Sequence, residues 1–306
     1  MDSYSEKNIK EYIRALDHMK SFFQSMLEND KKVVTPPSDY VKSLTNIRML
    51  TKTPGWPVAI EPEWICGDDE NSKMSRATGV IDKFFKDDDL SGKKFLDFGC
   101  GEGHVAYVAA TLNDASLAIG YDPKSSNCKD YKKDKDNFFL TDNFDEVSLN
   151  GNYDFILLND VLDHASDPLS VLEQVKKLRR PDCKIAMRCH PWSSRHGTHL
   201  YKQINKAFLH LVFTDDEIFA MGLKEQFAHK VLDPLSVYRD LIKQSGLKTI
   251  KEDITTSPVE IFFTQKEEIM RRIKEKWKTS SDPELKDGSK FPRDILEIEF
   301  VDYWLE

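Results

Sequence analysis

Three glycines alternate with other residues in a pattern that suits ligand binding. They are Gly99, Gly101 and Gly103. Apolar residues 95–98, interrupted by the carboxylate of Asp97, lead into them, and apolar residues 105–110 follow. This pattern is typical of a buried strand that turns tightly into a helix, because glycine adopts the conformations of a tight turn and leaves bare backbone for a ligand. The G-x-G-x-G spacing differs from the G-x-G-x-x-G of nicotinamide and flavin sites, which disfavours a dehydrogenase.

A second acidic residue follows at a characteristic distance. Asp122 ends the short apolar run 117–121 and lies 19 residues after Gly103. An acid about 20 positions beyond a glycine loop, at the end of the next strand, is placed to accept hydrogen bonds from a ribose diol. Loop, helix, strand and acid in this order predict a nucleoside-bearing cofactor rather than a simple turn.

These residues resemble the motifs of class I S-adenosylmethionine-dependent methyltransferases, which belong to the Rossmann-like methyltransferase superfamily. The first motif is similar to Asp97–Gly103 and the second to Gly120–Asp122. The resemblance continues in Leu157–His164 and Asp167-Pro168, and it covers roughly residues 76–265. The fourth-strand segment is similar to that of enzymes acting on small molecules or sugars. It lacks the Asn/Asp-Pro-Pro-Tyr signature of enzymes that methylate exocyclic amines of bases.

The resemblance implies a cofactor, S-adenosylmethionine, and a set of residues that bind it. In this family the glycine loop passes the methionine part, the acid after the second strand holds the ribose, and a side chain after the third strand lies against the adenine. The implied cofactor-binding residues are Asp97, Gly99, Cys100, Gly101, Gly103, Asp122, Pro123, Asp142, Asn143, Asn159 and Asp160.

The elements that must position these residues can be predicted from the apolar pattern. Strands are expected at 94–98, 116–121, 137–140, 153–158 and 183–189, with helices at 103–112 and 168–179. Strands alternating with helices indicate a parallel sheet, and ligands bind at the carboxyl ends of such strands. A helix at 234–245, capped by Gly246, and strand-like runs at 247–254 and 259–264 complete the prediction. The fold class is therefore α/β, a Rossmann-like seven-stranded methyltransferase sheet with an antiparallel final hairpin.

The chain is predicted to divide into three regions. Residues 1–75 form a helical extension, with an amphipathic helix at 5–29 and a short helix at 39–50. Residues 76–265 form the methyltransferase domain, in which 190–232 is a lid or substrate insertion longer than a usual connection. Residues 266–306 form a C-terminal helix and tail outside the core. The first helices or the tail are candidates for a homodimer contact.

Residues 190–210 of the insertion contain four of the eight histidines and supply candidates for the transfer step. A hydroxyl acceptor must lose a proton, and histidine suits that task near neutral pH. His190 ranks first because it lies at a strand end, with Asp160 beside it at the reaction centre; His196 and His199 come next, then His164. The predicted substrate-binding residues are Arg188, Trp192, Arg195 and Tyr201, of which the arginines suit a carboxylate or phosphate. Structural roles for these histidines remain open, and their spacing matches no strong metal template, so no metal is predicted.

Composition limits the classes of methyl acceptor and the cellular compartment that we expect. The net charge of −8 disfavours a nucleic-acid substrate without excluding a local basic patch. No apolar run approaches the length of a membrane span, no signal peptide is recognisable at Met1, and five cysteines without a C-x-x-C pair suggest a reduced, cytoplasmic setting. The leading hypothesis is O-methylation of a small molecule or saccharide. The alternatives are methylation of RNA, at a ribose or cap, or of protein, and a non-catalytic scaffold that keeps the fold.

Overall fold

The computed structural model describes residues 53–61, 67, 69–124, 135–223, 226–228, 230–231, 233–278 and 293–306. The helices predicted at 5–29 and 39–50 lie outside these residues. The chain divides into two compact units. The sheet unit comprises the described residues of 63–191, 228–256 and 298–306. The insertion unit comprises those of 1–62, 192–227 and 257–297.

A seven-stranded sheet forms the centre of the sheet unit. Its strands are β1 (Lys94–Phe98), β2 (Leu117–Tyr121), β3 (Phe138–Thr141), β4 (Tyr153–Asn159), β5 (Arg179–Cys189), β6 (Thr249–Thr256) and β7 (Ile298–Leu305). Their order is β3-β2-β1-β4-β5-β7-β6. The first five pair in parallel, whereas β7 runs antiparallel to both β5 and β6. This topology confirms the predicted methyltransferase sheet with an antiparallel final hairpin.

Helices cover the sheet or build the insertion unit. In chain order they are α1 (Glu70–Phe85), α2 (His104–Thr111), α3 (Phe144–Leu149), α4 (Pro168–Leu178), α5 (Leu209–Val212), α6 (Asp215–Ala220), α7 (Pro234–Ser245), α8 (Ile261–Gln265), α9 (Glu267–Trp277) and α10 (Arg293–Leu296). The first four and α7 belong to the sheet unit. None of the helices in the described residues is long and apolar enough to cross a membrane.

Apolar residues on alternate positions of the central strands β1 and β4 bury both faces of the sheet. Leu96 and Ile156 join the cluster that also contains residues of α4 and α7. Their neighbours Phe95 and Leu157 join the opposite cluster with residues of α1 and α2. A strand covered on both faces reads as a continuous apolar run, which is why β1 and β4 could be recognised in the sequence. The carboxyl ends of these strands are thereby fixed on one edge of the sheet.

The antiparallel hairpin contains a different last strand from the one predicted. Residues 259–264 were expected to form it, but 261–265 are the helix α8. A short apolar run does not distinguish a strand from a buried helix, and Phe263 is buried inside the insertion unit. The antiparallel strand is instead β7, which lies in the segment predicted to be a tail outside the core. That expectation was therefore wrong for residues 298–305.

The insertion unit is held together by aromatic packing and by one arginine. Trp56 stacks on Phe213 with ring centroids 6.4 Å apart, and its Nε1 donates to the Ala207 carbonyl at 3.0 Å. Arg195 donates to the Val58 carbonyl at 2.8 Å and pairs with Glu260. Helix α6 begins after Thr214, a residue type that favours helix N-termini. Its capping box joins the Thr214 hydroxyl and the Glu217 carboxylate to each other's backbone N–H groups.

Candidate functional site

The glycine loop joins β1 to α2 in a conformation that favours glycine. Gly99, Gly101 and Gly103 have φ angles of 82°, 55° and 87°. L-residues adopt this left-handed region at a cost of roughly 1–2 kcal/mol each. The N–H groups of Gly99 and Cys100 both donate to the Tyr121 carbonyl, at 2.7 and 3.0 Å. The loop is thus bound to the end of β2.

The three glycines differ in what surrounds them. A Cβ on Gly99 would lie 2.5 Å from Cγ2 of Val161, and one on Gly103 would lie 2.5 Å from Cδ2 of Leu140. These two glycines permit close packing within the protein. A Cβ on Gly101 would meet no described atom within 4 Å. The central glycine therefore presents bare backbone on which a ligand can lie, as a cofactor-binding loop requires.

Asp122 connects the glycine loop to the end of β2. Its Oδ2 accepts the Gly101 N–H at 3.0 Å and its Oδ1 accepts the Lys124 N–H at 2.8 Å. The carboxylate is buried, and it holds the same glycine that a ligand would contact. Pro123 follows directly and begins the turn out of the strand. A carboxylate can accept up to about four hydrogen bonds, so a ribose diol can share this group with the two backbone donors.

Asp97 is the buried acid at the end of β1. Burial raises its pKa to about 7, the Ala106 backbone N–H opposes that rise, and the nearby Asp122 carboxylate adds to it. Its position in the strand places Asp97 opposite Gly120 of β2. The side chain is buried and accepts the Ala106 N–H in the first turn of α2, directly after the glycine loop.

The ends of β3 and β4 carry the remaining predicted cofactor residues. Asp142 and Asn143 are exposed, and Asn143 Oδ1 caps α3 by accepting the Asp145 N–H at 3.0 Å. Asn159 Nδ2 donates to Asp160 Oδ2 at 3.3 Å. Asp160 has a φ of 56°, and its N–H donates to the Arg188 carbonyl at 3.1 Å. The sheet places all of these groups at the carboxyl ends of its parallel strands, on the edge where such sheets bind ligands.

The topology, the glycine loop and the buried acids agree with a comparison of the sequence to known families. Residues 72–216 match a family model described as a methyltransferase domain. Residues 72–216 are a methyltransferase domain. Domains of this family use S-adenosylmethionine, and the open face of Gly101 beside the Asp122 carboxylate fits that cofactor.

Individual relatives are distant. The chain is 29% identical over 129 residues to 27-O-demethylrifamycin SV methyltransferase of Amycolatopsis mediterranei (strain S699). That match covers 39% of this chain and 47% of the relative, so it spans about half of the relative's length. Among solved structures, plantazolicin methyltransferase BpumL, in complex with a monoazolic desmethylPZN analog and SAH, is 16% identical. The similarity covers 96% of this chain and 95% of that chain, with a TM-score of 0.44.

A second solved structure covers less of its own chain. Phosphoethanolamine N-methyltransferase 2 of Haemonchus contortus, in complex with S-adenosyl-L-methionine, is 16% identical. The similarity covers 81% of this chain and 54% of that chain, with a TM-score of 0.44.

Within the methyltransferase domain, the predicted base and a predicted substrate residue contact the last strand. His190 is only 4% exposed, and its ring lies 5.2 Å from that of Phe300. Arg188 forms two parallel hydrogen bonds with the fully buried Asp302, at 2.7 and 2.8 Å. Its guanidinium also lies 4.9 Å from the Phe300 ring centroid. Both side chains are thus held by β7, and their catalytic and substrate roles stay predictions.

The other two predicted catalytic histidines belong to the insertion unit. His196 is buried, its Nδ1 lies 2.9 Å from the Ser194 hydroxyl, and burial lowers its pKa to about 3, with further lowering by His199 and Arg195. His199 Nδ1 lies 3.2 Å from Gln226 Oε1, and its ring contacts those of Tyr201 and Phe227.

The start of the insertion unit combines buried polar atoms with unusual backbone conformations. Trp192 packs edge-on against His210 at 5.2 Å, and a Cβ on Gly197 would lie only 2.1 Å from the Trp192 carbonyl oxygen. Within the described residues, four buried polar atoms of residues 192–198 have no protein hydrogen-bond partner: Trp192 Nε1, Ser193 Oγ, Arg195 Nε and Thr198 Oγ1. Thr198 and His199 both adopt φ angles near 60°, which is unusual for a β-branched residue such as threonine. Buried donors and backbone strain of this kind concentrate at binding sites.

Two residues of β7 were missed by the sequence analysis although they contact predicted site residues. Asp302 is a fully buried acid that pairs with Arg188 and, at 3.0 Å, with Lys83 Nζ. Phe300 contacts both Arg188 and His190. The available signal was a single acid inside an apolar run, Phe300-Val301-Asp302-Tyr303-Trp304, because an acid in a buried strand needs a partner.

Proposed function

We propose that this protein is an S-adenosylmethionine-dependent methyltransferase that methylates an oxygen of a small molecule or saccharide. The observation that carries the cofactor part is the Asp122 carboxylate. It holds the Gly101 N–H at the one glycine of the loop whose Cα has room for a ligand. A loop with only a structural role does not require a buried acid bound to a glycine whose Cα is open to a ligand.

The residues of the sheet unit suit each part of the cofactor. The Gly99–Gly103 backbone would lie along the methionine part, Asp122 would accept the ribose hydroxyls, and the Asp142–Asn143 segment would lie against the adenine. Bound there, the cofactor supplies an electrophilic methyl group on a sulfonium centre. The protein aligns an acceptor lone pair with that carbon, shields the centre from water and removes the acceptor's proton.

Three observations favour a small, oxygen-bearing acceptor. The relative at 29% identity is named for a demethylated rifamycin, a small molecule. The net charge of −8 is unfavourable for gripping a long polyanion. In the insertion unit, the orphan groups of Trp192, Ser193 and Thr198 are neutral hydrogen-bonding groups that suit hydroxyl or carbonyl oxygens, and Arg195 Nε–H of the same segment can donate to such oxygens as well.

The cofactor part is tested by calorimetric titration of the full chain with S-adenosylhomocysteine and S-adenosylmethionine. We expect micromolar dissociation constants for the wild type and a large loss of affinity in Asp122→Asn. Glu173→Gln, an exposed acid on α4, is the matched control and should bind normally. Absence of binding by the wild type would refute the proposal.

The acceptor part is tested by methyl transfer from labelled cofactor to a host extract divided into RNA, protein, glycan and small-molecule pools. We expect label in the small-molecule or glycan pool. Label confined to the RNA pool or the protein pool would replace the proposed acceptor while leaving the enzyme class intact.

A further inference from the structure

Residues 192–198 of the insertion unit bury hydrogen-bonding groups that the described protein does not use. Ser193 and Thr198 are fully buried, and Trp192 is 5% exposed. In the described part of the chain, Trp192 Nε1, Ser193 Oγ and Thr198 Oγ1 have no hydrogen-bond partner. A buried polar group without a partner destabilises the folded state, so folded proteins contain few of them. Several such groups in one short segment therefore indicate that something else completes their hydrogen bonds.

Backbone hydrogen bonds hold this segment in a fixed conformation. The Gly197 N–H donates to the Ser194 carbonyl at 3.1 Å, and the Thr198 carbonyl accepts the Gln226 N–H at 3.1 Å. Thr198 has a φ of 65°, which a β-branched residue rarely adopts and which the surrounding structure must maintain. The backbone that carries the buried hydroxyls is therefore already in place before a ligand binds.

Gly197 brings the two ends of the segment together. A Cβ on Gly197 would lie 2.1 Å from the Trp192 carbonyl oxygen and 2.9 Å from His210 Nε2. The Trp192 ring packs edge-on against that of His210, with ring centroids 5.2 Å apart. Ser193 follows one partner of this contact and Thr198 follows the other. We call Trp192, Ser193 and Thr198 the donor cluster, which lies within one compact unit.

The donor cluster suits an uncharged group that has a carbonyl oxygen. An indole N–H can only donate a hydrogen bond, and a hydroxyl can donate as well as accept. The nearby cations already have carboxylate partners. Arg195 pairs with Glu260. Lys276, whose Nζ lies 6.0 Å from the Trp192 ring centroid, pairs with Asp215 at 3.6 Å. A carbonyl oxygen accepts two hydrogen bonds and brings no charge, as in an amide, an ester or a ketone.

A buried water molecule is the alternative occupant, and it differs from a ligand in its effect on stability. A water that bridges the two hydroxyls belongs to the folded protein, so removal of either hydroxyl would weaken the fold. Hydroxyls that only a ligand satisfies destabilise the unliganded protein, so removal of either would leave its stability unchanged or increase it. The stability of the unliganded protein therefore distinguishes the two occupants.

We propose that the donor cluster is a subsite that binds a carbonyl group of the methyl acceptor, an inference that rests on the proposed function. Trp192 Nε1–H and the hydroxyls of Ser193 and Thr198 supply the hydrogen-bond donors. Because these donors are buried and held in place, the acceptor gains hydrogen bonds at a low ordering cost to the protein. The subsite determines the affinity for the acceptor and takes no part in the proton transfer.

The first test uses the protein alone. Ser193→Ala and Thr198→Val each remove one hydroxyl with little change in volume, and we expect their urea midpoints to equal or exceed that of the wild type. Ser194→Ala is the matched control. Ser194 is also fully buried, but its hydroxyl lies 2.9 Å from His196 Nδ1, so its loss should lower the midpoint. If Ser193→Ala and Thr198→Val lowered the midpoint as far as Ser194→Ala, the proposal would be overturned in favour of a bound water.

The second test examines the chemistry of the ligand with a small probe. N,N-dimethylacetamide has a carbonyl oxygen and no N–H group. In protein that carries nitrogen-15-labelled tryptophan, this probe should move the Trp192 indole N–H resonance, which is identified by its loss in Trp192→Phe. The indoles of Trp56 and Trp304 already donate to the Ala207 and Phe84 carbonyls, at 3.0 and 3.2 Å, so their resonances should stay in place. A stationary Trp192 resonance, or equal movement of all three, would refute a carbonyl subsite.

Turnover of labelled cofactor with the accepting pool then tests the role in the reaction. Ser193→Ala and Thr198→Val should each raise the pool concentration that gives the half-maximal rate about 10-fold, the loss expected for one hydrogen bond, with the maximal rate within about threefold. S-adenosylhomocysteine affinity should stay within about twofold. Thr264→Val removes an exposed hydroxyl on α8 and should change none of these quantities.

The outcomes of the turnover test separate the subsite from the proposed function. An unchanged half-maximal concentration in both Ser193→Ala and Thr198→Val, with normal cofactor affinity, would refute the subsite alone. Loss of cofactor binding by the wild type would instead refute the proposed function.

Discussion

The glycine loop of the sheet unit and residues 198–208 of the insertion unit both contain left-handed backbone, but with different residue types. In the sheet unit, the left-handed residues of the cofactor loop are glycines, which adopt that region without a steric penalty. In the insertion unit, Thr198, His199 and Phe208 adopt it with full side chains. The first arrangement makes room for a ligand at low cost, whereas the second is maintained by surrounding packing. Backbone strain that is held by packing, as at Thr198, His199 and Phe208, concentrates at functional sites.

The largest expected effect is on the free energy of unfolding, when the carboxylate partner of Arg188 or of Arg195 is removed. Asp302→Ala removes a fully buried carboxylate that pairs with both Arg188 and Lys83, and should cost about 3–5 kcal/mol in the free energy of unfolding, because two partly buried cations lose their common counter-charge. Glu260→Ala removes the partly exposed partner of Arg195 and should cost about 1 kcal/mol or less. Urea denaturation of both variants measures the difference. Equal costs would show that the two ion pairs are equivalent.

The next effect concerns binding rather than stability. Asp122→Asn should weaken S-adenosylhomocysteine binding by about 10- to 100-fold, since a charged acceptor of hydrogen bonds is replaced by a neutral one. Calorimetry measures the affinity, and the urea midpoint should fall modestly, because Asn offers one carbonyl oxygen to the two backbone N–H groups that Asp122 binds. In the insertion unit, Glu260→Gln should not alter cofactor affinity. A comparable loss in both variants would contradict the assignment of the cofactor to the sheet unit.

A smaller effect separates backbone strain from ligand contact. Gly101→Ala and Gly55→Ala both place a methyl group on a left-handed residue with no described atom within 4 Å. Each should lower the free energy of unfolding by about 1–2 kcal/mol. Only Gly101→Ala should weaken cofactor binding, by roughly 10-fold, which is about 1.4 kcal/mol. If Gly55→Ala weakened binding equally, the loss would be a consequence of strain.

The smallest effect is a difference in pH response. Asp97 and Asp163 have pKa values raised to about 7 and 8, above the ordinary value of about 3.9. The folded sheet unit retains protons that the unfolded chain releases, so its stability falls as pH rises from about 4 to 8. His196 has its pKa lowered to about 3, so its contribution in the insertion unit is lost as pH falls from about 6.5 towards 3.

Hydrogen exchange followed by mass spectrometry, corrected for intrinsic rates, resolves the two units. Protection in the sheet unit should be greater at pH 5 than at pH 8, and protection in the insertion unit should change in the reverse sense. Asp97→Asn should weaken the response of the sheet unit only. A common direction in both units would contradict these assignments.

The parts of the molecule that depend on local sequence were predictable. The strands β1 to β5 and the glycine turn follow from apolar runs and residue type. The position of β7 was not, because its partners β5 and β6 precede it by many residues and pairing over such distances leaves no local signal. For the same reason Arg188 was expected to face a substrate, while in the structure it pairs with Asp302. The low pKa of His196 likewise results from tertiary burial, which a histidine-rich sequence does not reveal.

The place of β7 in the sheet has a consequence for synthesis of the chain. β6 is translated some 40 residues before β7, yet β7 is the strand that joins it to β5. At about 5–20 residues per second, a ribosome leaves β6 without its neighbour for roughly 2–8 seconds. During that interval the open edge of β5 and the whole of β6 can pair with other chains. Yield of the folded protein should therefore depend on translation speed through residues 257–297 and on chaperones that shield these edges.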